Sequence, residues 1–454
     1  MLWDNAASGL VLASNLFLAV AMLRLLTQHA GCDDDDGGVC RKGTFLGLRP
    51  SSFVTFVVMV GQLSAAVAMP FVGACVDYTG SRRRLGAASG WVMCGVTLAQ
   101  AAVSREALLA VSLLQIISIA SYITHQCSSL SYLPGLSRDE VTHADDARER
   151  HRVNTGHIVA TLVAHLFAII VVFALALGLD WNDVEMARYC QAGVGVSLAV
   201  IFLRVWHAEG GYEGRLVDVP ATKSRPPHLQ HSSLLKVGYY ELRHSWANMA
   251  RNGDTRARDF IIGTSLSSAS MASFTTLAVV YLHDHLALSA QQTVAAVFIT
   301  LATSVPAGMA FLPIMDRFGA FKAFFGVVVF MAVVTFVAQI TLCGPGCAGH
   351  LFLYSALWGF GFGGYYASNT ALFVTLVPPD AEAQYMSVYY FAAQILSWLP
   401  VACYTLLNEV ADQQPALFII AFFLLASLPF HRRVGRDPPV PARDAPEKSL
   451  RENA

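Results

Sequence analysis

Long apolar runs separated by short polar joints organise this chain from end to end. A helix needs about 20 mostly apolar residues to cross the hydrocarbon core of a bilayer. Twelve runs approach or exceed that length: 7–26, 52–76, 85–103, 107–126, 155–178, 187–206, 259–282, 291–315, 320–342, 349–377, 383–406 and 415–430. The last is the shortest. Membrane-barrel strands would read as segments of roughly ten residues with alternating character, and the runs lack that alternation. The pattern predicts an all-α membrane protein with twelve transmembrane helices. Trp3 and Asp4 stand where a cleaved signal peptide carries cations, so the first run is expected to stay as a signal anchor.

Composition agrees with this pattern. Of 454 residues, 55% are hydrophobic and only 13% are charged, against roughly 25% charged in an average soluble domain. A compact water-soluble domain of that composition would expose large apolar patches. Lys+Arg at 30 and Asp+Glu at 31 nearly cancel, which excludes the basic footprint of a nucleic-acid binder. Placement of the cations is uneven. On the side that carries both termini the loops, with the first residues of the runs they lead into, hold 23 Lys and Arg, and on the other side 5. The positive-inside bias predicts both termini in the cytosol.

The runs fall into two sets of six. Residues 1–206 form an N-terminal six-helix half, 207–258 a cytosolic linker, 259–430 a C-terminal six-helix half and 431–454 a charged, Pro-rich tail expected to be disordered. Within the linker, Leu235, Tyr239, Leu242, Trp246 and Met249 repeat at helical spacing, with Lys236, Arg243 and Arg251 off that stripe. An amphipathic helix lying at the membrane surface, or a strut packed beneath the bundle, fits this pattern.

An internal repeat links the halves. The second run ends in Asp77-Tyr-Thr-Gly80-Ser-Arg82-Arg83-Arg84, and the eighth in Asp316-Arg317-Phe-Gly319-Ala-Phe-Lys322. Each puts an Asp at a helix C-terminus, a Gly three residues on, and then a cation. Glycine suits a tight turn there, and cations suit helix C-terminal carbonyls. These residues resemble the signature loop of the major facilitator superfamily, which implies the major facilitator fold. The resemblance implies a conformational latch formed by Asp77, Gly80, Arg82, Arg83, Arg84, Asp316, Arg317, Gly319 and Lys322. Plain stop-transfer charge is the competing reading.

A closer resemblance lies in Gly363-Gly364-Tyr-Tyr-Ala-Ser-Asn-Thr-Ala-Leu-Phe-Val-Thr-Leu-Val-Pro378, Asp380 and Glu382, Tyr385-Met-Ser-Val-Tyr389 and Ser397-Trp398-Leu-Pro400. Trp3-Asp4-Asn5-Ala6 and Tyr132-Leu133-Pro134 add to it. Together they are similar to the autophagy-related vacuolar amino-acid effluxer family. The resemblance implies alternating-access export of neutral amino acids from a vacuole or lysosome to the cytosol during autophagic recycling. Gly135, Ala269 and Leu399 depart from that family's pattern; the first two stand where it carries acids.

Polar groups inside membrane helices are costly and mark function. The expected substrate cavity comprises Asn15, Gln62, His165, Ser270, Ser273, Tyr366, Asn369, Gln394 and Trp398, with Thr303 beside them. None is an acid or a permanent cation, which suits a zwitterion or a polar neutral solute. His165 is the one group of this set that titrates near neutral pH, so it is the candidate for a proton as coupling ion; an interhelical hydrogen bond is its plainer role. Trp3, Asp4 and Asn5 are expected at the cytosolic mouth, with helix capping by Asp4 the simpler alternative. Arg24 meets either a substrate carboxylate or the membrane interface. Gly359, Gly361, Gly363 and Gly364 lie inside an apolar run, where they suit close packing rather than dinucleotide binding. Cys32, Cys40, Cys343 and Cys347 fall in loops on the oxidising side, paired 32–40 and 343–347 or across.

No zinc-type cluster, paired intramembrane carboxylates or nucleophile motif points to an enzyme, and no metal or cofactor is expected. The partners expected are a small-molecule substrate, amino acids by resemblance, and the lipid bilayer. Other readings are a carrier of another small polar solute at the plasma membrane, or a nontransporting sensor or lipid scramblase on the same fold.

Overall fold

The structure is a computed structural model in which residues 2–32, 43–132, 146–207, 225, 227–251, 255–288, 290–342, 344–376, 382–410 and 415–435 are described. The first half contains α1 (Leu2–His29), α2 (Pro50–Tyr78), α3 (Arg82–Gln100), α4 (Leu108–Leu130), α5 (Asp146–Leu179) and α6 (Asp183–Phe202). A π turn, Leu203–His207, prolongs α6. The linker contributes α7 (Leu234–Arg251). The second half contains α8 (Thr255–Asp284), α9 (Ala290–Phe318), α10 (Ala320–Thr341), α11 (Leu351–Leu376), α12 (Glu382–Ile395), α13 (Trp398–Val410) and α14 (Ala416–Val434). Among the described residues, ten stretches of helix are long and apolar enough to cross a membrane. The other two predicted runs coincide with α3, which opens on three arginines, and with α11.

Local chemistry sets several ends. Pro50 opens α2, where its missing N–H costs nothing and its fixed φ fits a helix. Asn182 caps α6: its side chain accepts the Val184 and Glu185 N–H groups at 3.0 Å, while the Glu185 carboxylate accepts the Asn182 N–H. Gly319 turns from α9 into α10 at φ +86°, a conformation other residues rarely adopt.

Helix packing repeats between the halves. α1 lies on α5 and α6, α2 on α4, and α3 on α4 and α6. In the second half α8 lies on α12 and α14, α9 on α11, and α10 on α11 and α14. Each half has an apolar core, and that of the first half also takes in Val279, Val294 and Leu301 of the second. Between them, α2 faces α12 and α13, while α5 faces α9 and α11. Both chain ends thus leave one face of the bundle, here termed the terminal face.

Several boundaries differ from the sequence reading. α14 runs on to Val434, and His431 is fully buried against Phe260 and Phe324 rather than opening a tail. α8 begins at Thr255, inside the stretch read as linker. The eleventh run is two helices, because Pro400 cannot donate to the Leu396 carbonyl and Leu399 N–H takes it at 2.9 Å instead. Pro70 and Pro306, by contrast, sit inside unbroken α2 and α9. The stripe on α7 divides: Met249 is buried, while Leu235, Tyr239 and Trp246 are exposed. Val237 and Gly238, off that stripe, pack on α2 near Ala74 and Pro70. Residues 208–224 and 436–454, Cys40, Cys343, and the segments around Pro134 and Pro378 lie outside the described residues.

The glycines of α11 explain its close seat on α9. A Cβ at Gly359 would stand 1.9 Å from Thr303 Oγ1 and 2.1 Å from the Thr300 carbonyl, and one at Gly363 would stand 2.2 Å from the Ser304 carbonyl. Backbone cannot retreat as a side-chain tip can. Gly73, before the Asp77 loop, has nothing within 4 Å of such a position, so it serves no close approach. Gly359→Val should therefore lower the thermal midpoint of the purified protein, with about 1–3 kcal/mol of overpacking strain. Gly326→Val, into open space on α10, should shift it far less; equal shifts would refute the contact.

Candidate functional site

At the terminal face of the first half, one carboxylate gathers four helices. Asp4, in the first turn of α1, is 2% exposed. Its Oδ1 accepts His125 Nε2 at 3.0 Å from α4 and Trp206 Nε1 at 2.8 Å from the end of α6. Its Oδ2 accepts the Ser129 hydroxyl. The other ring nitrogen of His125 lies 2.9 Å from the Gly86 carbonyl of α3. Asp4 and Asn5 are therefore buried rather than lining a mouth, because the carboxylate must fill its lone pairs from protein; Trp3 alone of the three is exposed.

The two loops of the internal repeat are unequal. Asp77 is buried, and Arg82 donates to the Ser131 carbonyl at 3.0 Å while lying over the Tyr132 ring. Arg83 donates twice to the Trp206 carbonyl. Arg84 is exposed, as are Asp316, Arg317, Gly319 and Lys322. The first loop thus ties together the terminal ends of α3, α4 and α6.

Inside the bundle, Gln100 Nε2 donates to Gln115 Oε1 at 2.7 Å, and Gln115 Nε2 donates to Asn15 Oδ1 at 3.3 Å. This amide chain crosses α3, α4 and α1. Gln62 and His165 are buried, and Gln62 Oε1 and His165 Nε2 have no hydrogen-bond partner among the described residues. Asn369 donates to Tyr389 Oη at 2.9 Å. Tyr366 is 37% exposed although it lies mid-helix, and Gln394 and Trp398 are half-buried at the break between α12 and α13. Ser270 and Ser273 do not line a cavity: both are fully buried and donate to the Ile420 and Ser397 carbonyls of neighbouring helices. Hydroxyls without charge satisfy a nearby backbone acceptor more cheaply than an open space.

Opposite the terminal face, a polar clasp joins the halves. Arg49 donates its N–H to Glu409 at 2.9 Å and its guanidinium to the Asn408 carbonyl at 2.7 Å. Asn408 Nδ2 reaches Ser51 and Ser52, and the hydroxyls of Thr55 and Thr405 meet at 2.8 Å. Arg24 is also claimed on this side, by Asp183 at 2.6 Å. Cys32 is disulfide-bonded.

A sequence profile described as "Vacuole effluxer Atg22 like" matches residues 6–437. The chain belongs to the Atg22-like vacuole effluxer family. No curated protein sequence matches it. Solved structures of similar fold include a D-xylose-proton symporter (12% identity, TM-score 0.64, covering 97% of this chain and 98% of that one). The xylose transporter XylE of E. coli, inward open, shares 13% identity at a TM-score of 0.62, over 97% and 96% of the two chains. The human organic anion transporter MFSD10 shares 14% at 0.60, over 94% and 98%. At such identities the likeness speaks for fold alone, and the fold is that of the major facilitator superfamily. This Atg22-like chain is a multi-pass membrane transporter.

Sequence reasoning named Asp4 without its partner His125, and passed over Gln100, Gln115 and the burial of His431. The available signal was an acid or amide inside an apolar run, which identifies a polar group in need of a partner without saying which helix supplies it. Removing one member of a buried ion pair costs about 3–5 kcal/mol. Asp4→Ala should therefore lower the thermal midpoint of this Atg22-like transporter strongly. Trp206→Phe, which removes one hydrogen bond to the carboxylate, should cost about 1.5–3 kcal/mol. Unchanged melting of Asp4→Ala would show that the cage does not hold the helix ends.

Proposed function

We propose that this transporter exports neutral amino acids from the lumen of a vacuole or lysosome to the cytosol, by alternating access between its two halves, during autophagic recycling. The observation that carries this reading is the character of the polar groups between the halves. Gln62, Tyr366, Gln394 and Trp398 are all neutral hydrogen-bonding groups, as is Asn15, which accepts from Gln115. A strongly charged solute would need an opposing charge there, whereas a zwitterion brings its own. The family's description as a vacuole effluxer supports the compartment and the direction. The cation bias places the terminal face in the cytosol, and the Arg49–Glu409 clasp then closes the lumenal side. Saturable counterflow of labelled leucine and other neutral amino acids in proteoliposomes is the expected result. Exchange of xylose, nucleosides or organic anions with no amino-acid exchange would overturn it.

The loop around Asp77 acts in this reading as a latch at the cytosolic ends of the helices, with Gly80, Arg82, Arg83 and Arg84, and the weaker loop of Asp316, Arg317, Gly319 and Lys322 is its counterpart. Asp77→Asn removes the charge and keeps the shape, so transport should fall several-fold at equal abundance. Unchanged kinetics in the same counterflow assay would remove the latch role.

A further inference from the structure

The linker helix α7 lies against the lipid side of the bundle. On α2, Phe56, Leu63, Val67 and Phe71 are exposed and recur at intervals of seven, four and four, which makes one apolar face turned to the bilayer. α7 seats on α2 beside that face. A Cβ at Gly238 would run into the Pro70 carbonyl, and Tyr239 Oη donates to the Val67 carbonyl at 3.3 Å. Val67 precedes Tyr78, the end of α2, by three helical turns, so the Tyr239 hydroxyl reaches about 16 Å from that end towards the bilayer interior. Val237, on the other side of α7, packs instead with Ala74 and Tyr78. These contacts fix how the helix is rolled: its Tyr239 edge points into the bilayer and its Val237 edge towards the terminal face.

The Tyr239 edge has the composition of a membrane–water boundary. Leu235, Tyr239 and Trp246 follow one another along it at intervals of four and seven, and all three are exposed. Lys236 and Arg243, seven apart and also exposed, flank that row on the side opposite Gly238, away from α2. A strut surrounded by water would carry polar residues on such an edge. Tyr and Trp rings beside Lys and Arg instead suit a medium that is apolar on one side and charged on the other. The remaining flank of α7 bridges the two halves. Leu242 and Met249 join the core of the second half, Val237 packs with α2 of the first, and α7 also meets α8 and α12.

We propose that the edge formed by Leu235, Tyr239 and Trp246 is sunk in the leaflet at the terminal face, and that Lys236 and Arg243 bind anionic phospholipid headgroups there. The apolar row continues the lipid-facing side of α2, and the two cations complement the negative surface of the cytosolic leaflet. α7 is thereby a lipid-anchored bridge, held to α2 in its first turns and to the second half in its last. This surface is independent of which solute the transporter carries.

Quenching of tryptophan fluorescence by lipids brominated in their acyl chains tests this on the full chain in proteoliposomes. The part contributed by Trp246 is the difference between wild type and Trp246→Phe. Brominated phosphatidylcholine should quench that part; no quenching would put the edge in water and overturn the proposal. With brominated phosphatidylserine diluted in plain phosphatidylcholine, lipid association at Trp246 should favour the anionic lipid. Lys236→Gln and Arg243→Gln should each reduce that preference about fivefold, as for loss of one cation near a charged surface, and the double variant should approach no preference. Raising NaCl from about 0.05 to 0.5 M should weaken it in wild type. Equal association of the two lipids in wild type, or a preference unchanged in the double variant, overturns the headgroup assignment. Lys236→Arg keeps the charge and should keep the preference; its loss there would trace the effect to packing and overturn the assignment too. None of these readouts involves transport, so they separate this failure from failure of the amino-acid reading.

Discussion

Inside a bilayer there is no water to complete a hydrogen bond, so each polar group must find its partner within the protein. Asp4 shows the consequence in its strongest form. Once that carboxylate is carried into the first turn of α1, its lone pairs can be filled only by neighbouring helices, and His125, Ser129 and Trp206 are brought to it. Through His125 the same contact reaches the Gly86 carbonyl of α3. Arg82 and Arg83 add bonds to the ends of α4 and α6. The terminal end of the first half is thereby fastened as one unit, which is what a rigid-body motion of one half against the other requires.

The second half answers the same demand with hydroxyls and an imidazole instead of a carboxylate. Tyr365 Oη meets Ser267 and Ser268, and His431 lies within 3.5 Å of Ser267. Gly263 leaves room for the His431 ring, since a Cβ would lie 2.6 Å from it. Gly86 does the same beside Trp206, where the gap would be 2.3 Å. The two halves thus share a solution on different helices: a small residue, Gly86 on α3 in one and Gly263 on α8 in the other, admits a large polar ring from the end of the half's last span.

Between the halves the balance is different. Contacts opposite the terminal face are direct and closely spaced, whereas Gln62 and His165 hold polar atoms that none of the described residues fills. A transporter gains from that arrangement. Groups satisfied within one half travel with it, and groups left open at the boundary between halves are available to a solute. Pro400 divides the eleventh span, and the carbonyls at the break are taken by the Ser273 hydroxyl, the Leu399 N–H and the Trp398 indole.

The sequence by itself determined the class. Apolar run length fixes the helices, because a bilayer has one thickness; cation placement predicts their direction; and the Asp77 and Asp316 loops mark the duplication. These are properties of single segments, legible one run at a time. Tertiary structure decided which polar residues face each other. Ser270 and Ser273 looked like cavity groups and bond backbone, Asp4 looked like a group at the cytosolic mouth and is a buried hub, and His431 looked like the start of a tail and lies in a core. Sequence records that a group is polar and inside the membrane. Whether it is satisfied depends on the face its helix turns and on the register with its neighbour, and packing alone sets both.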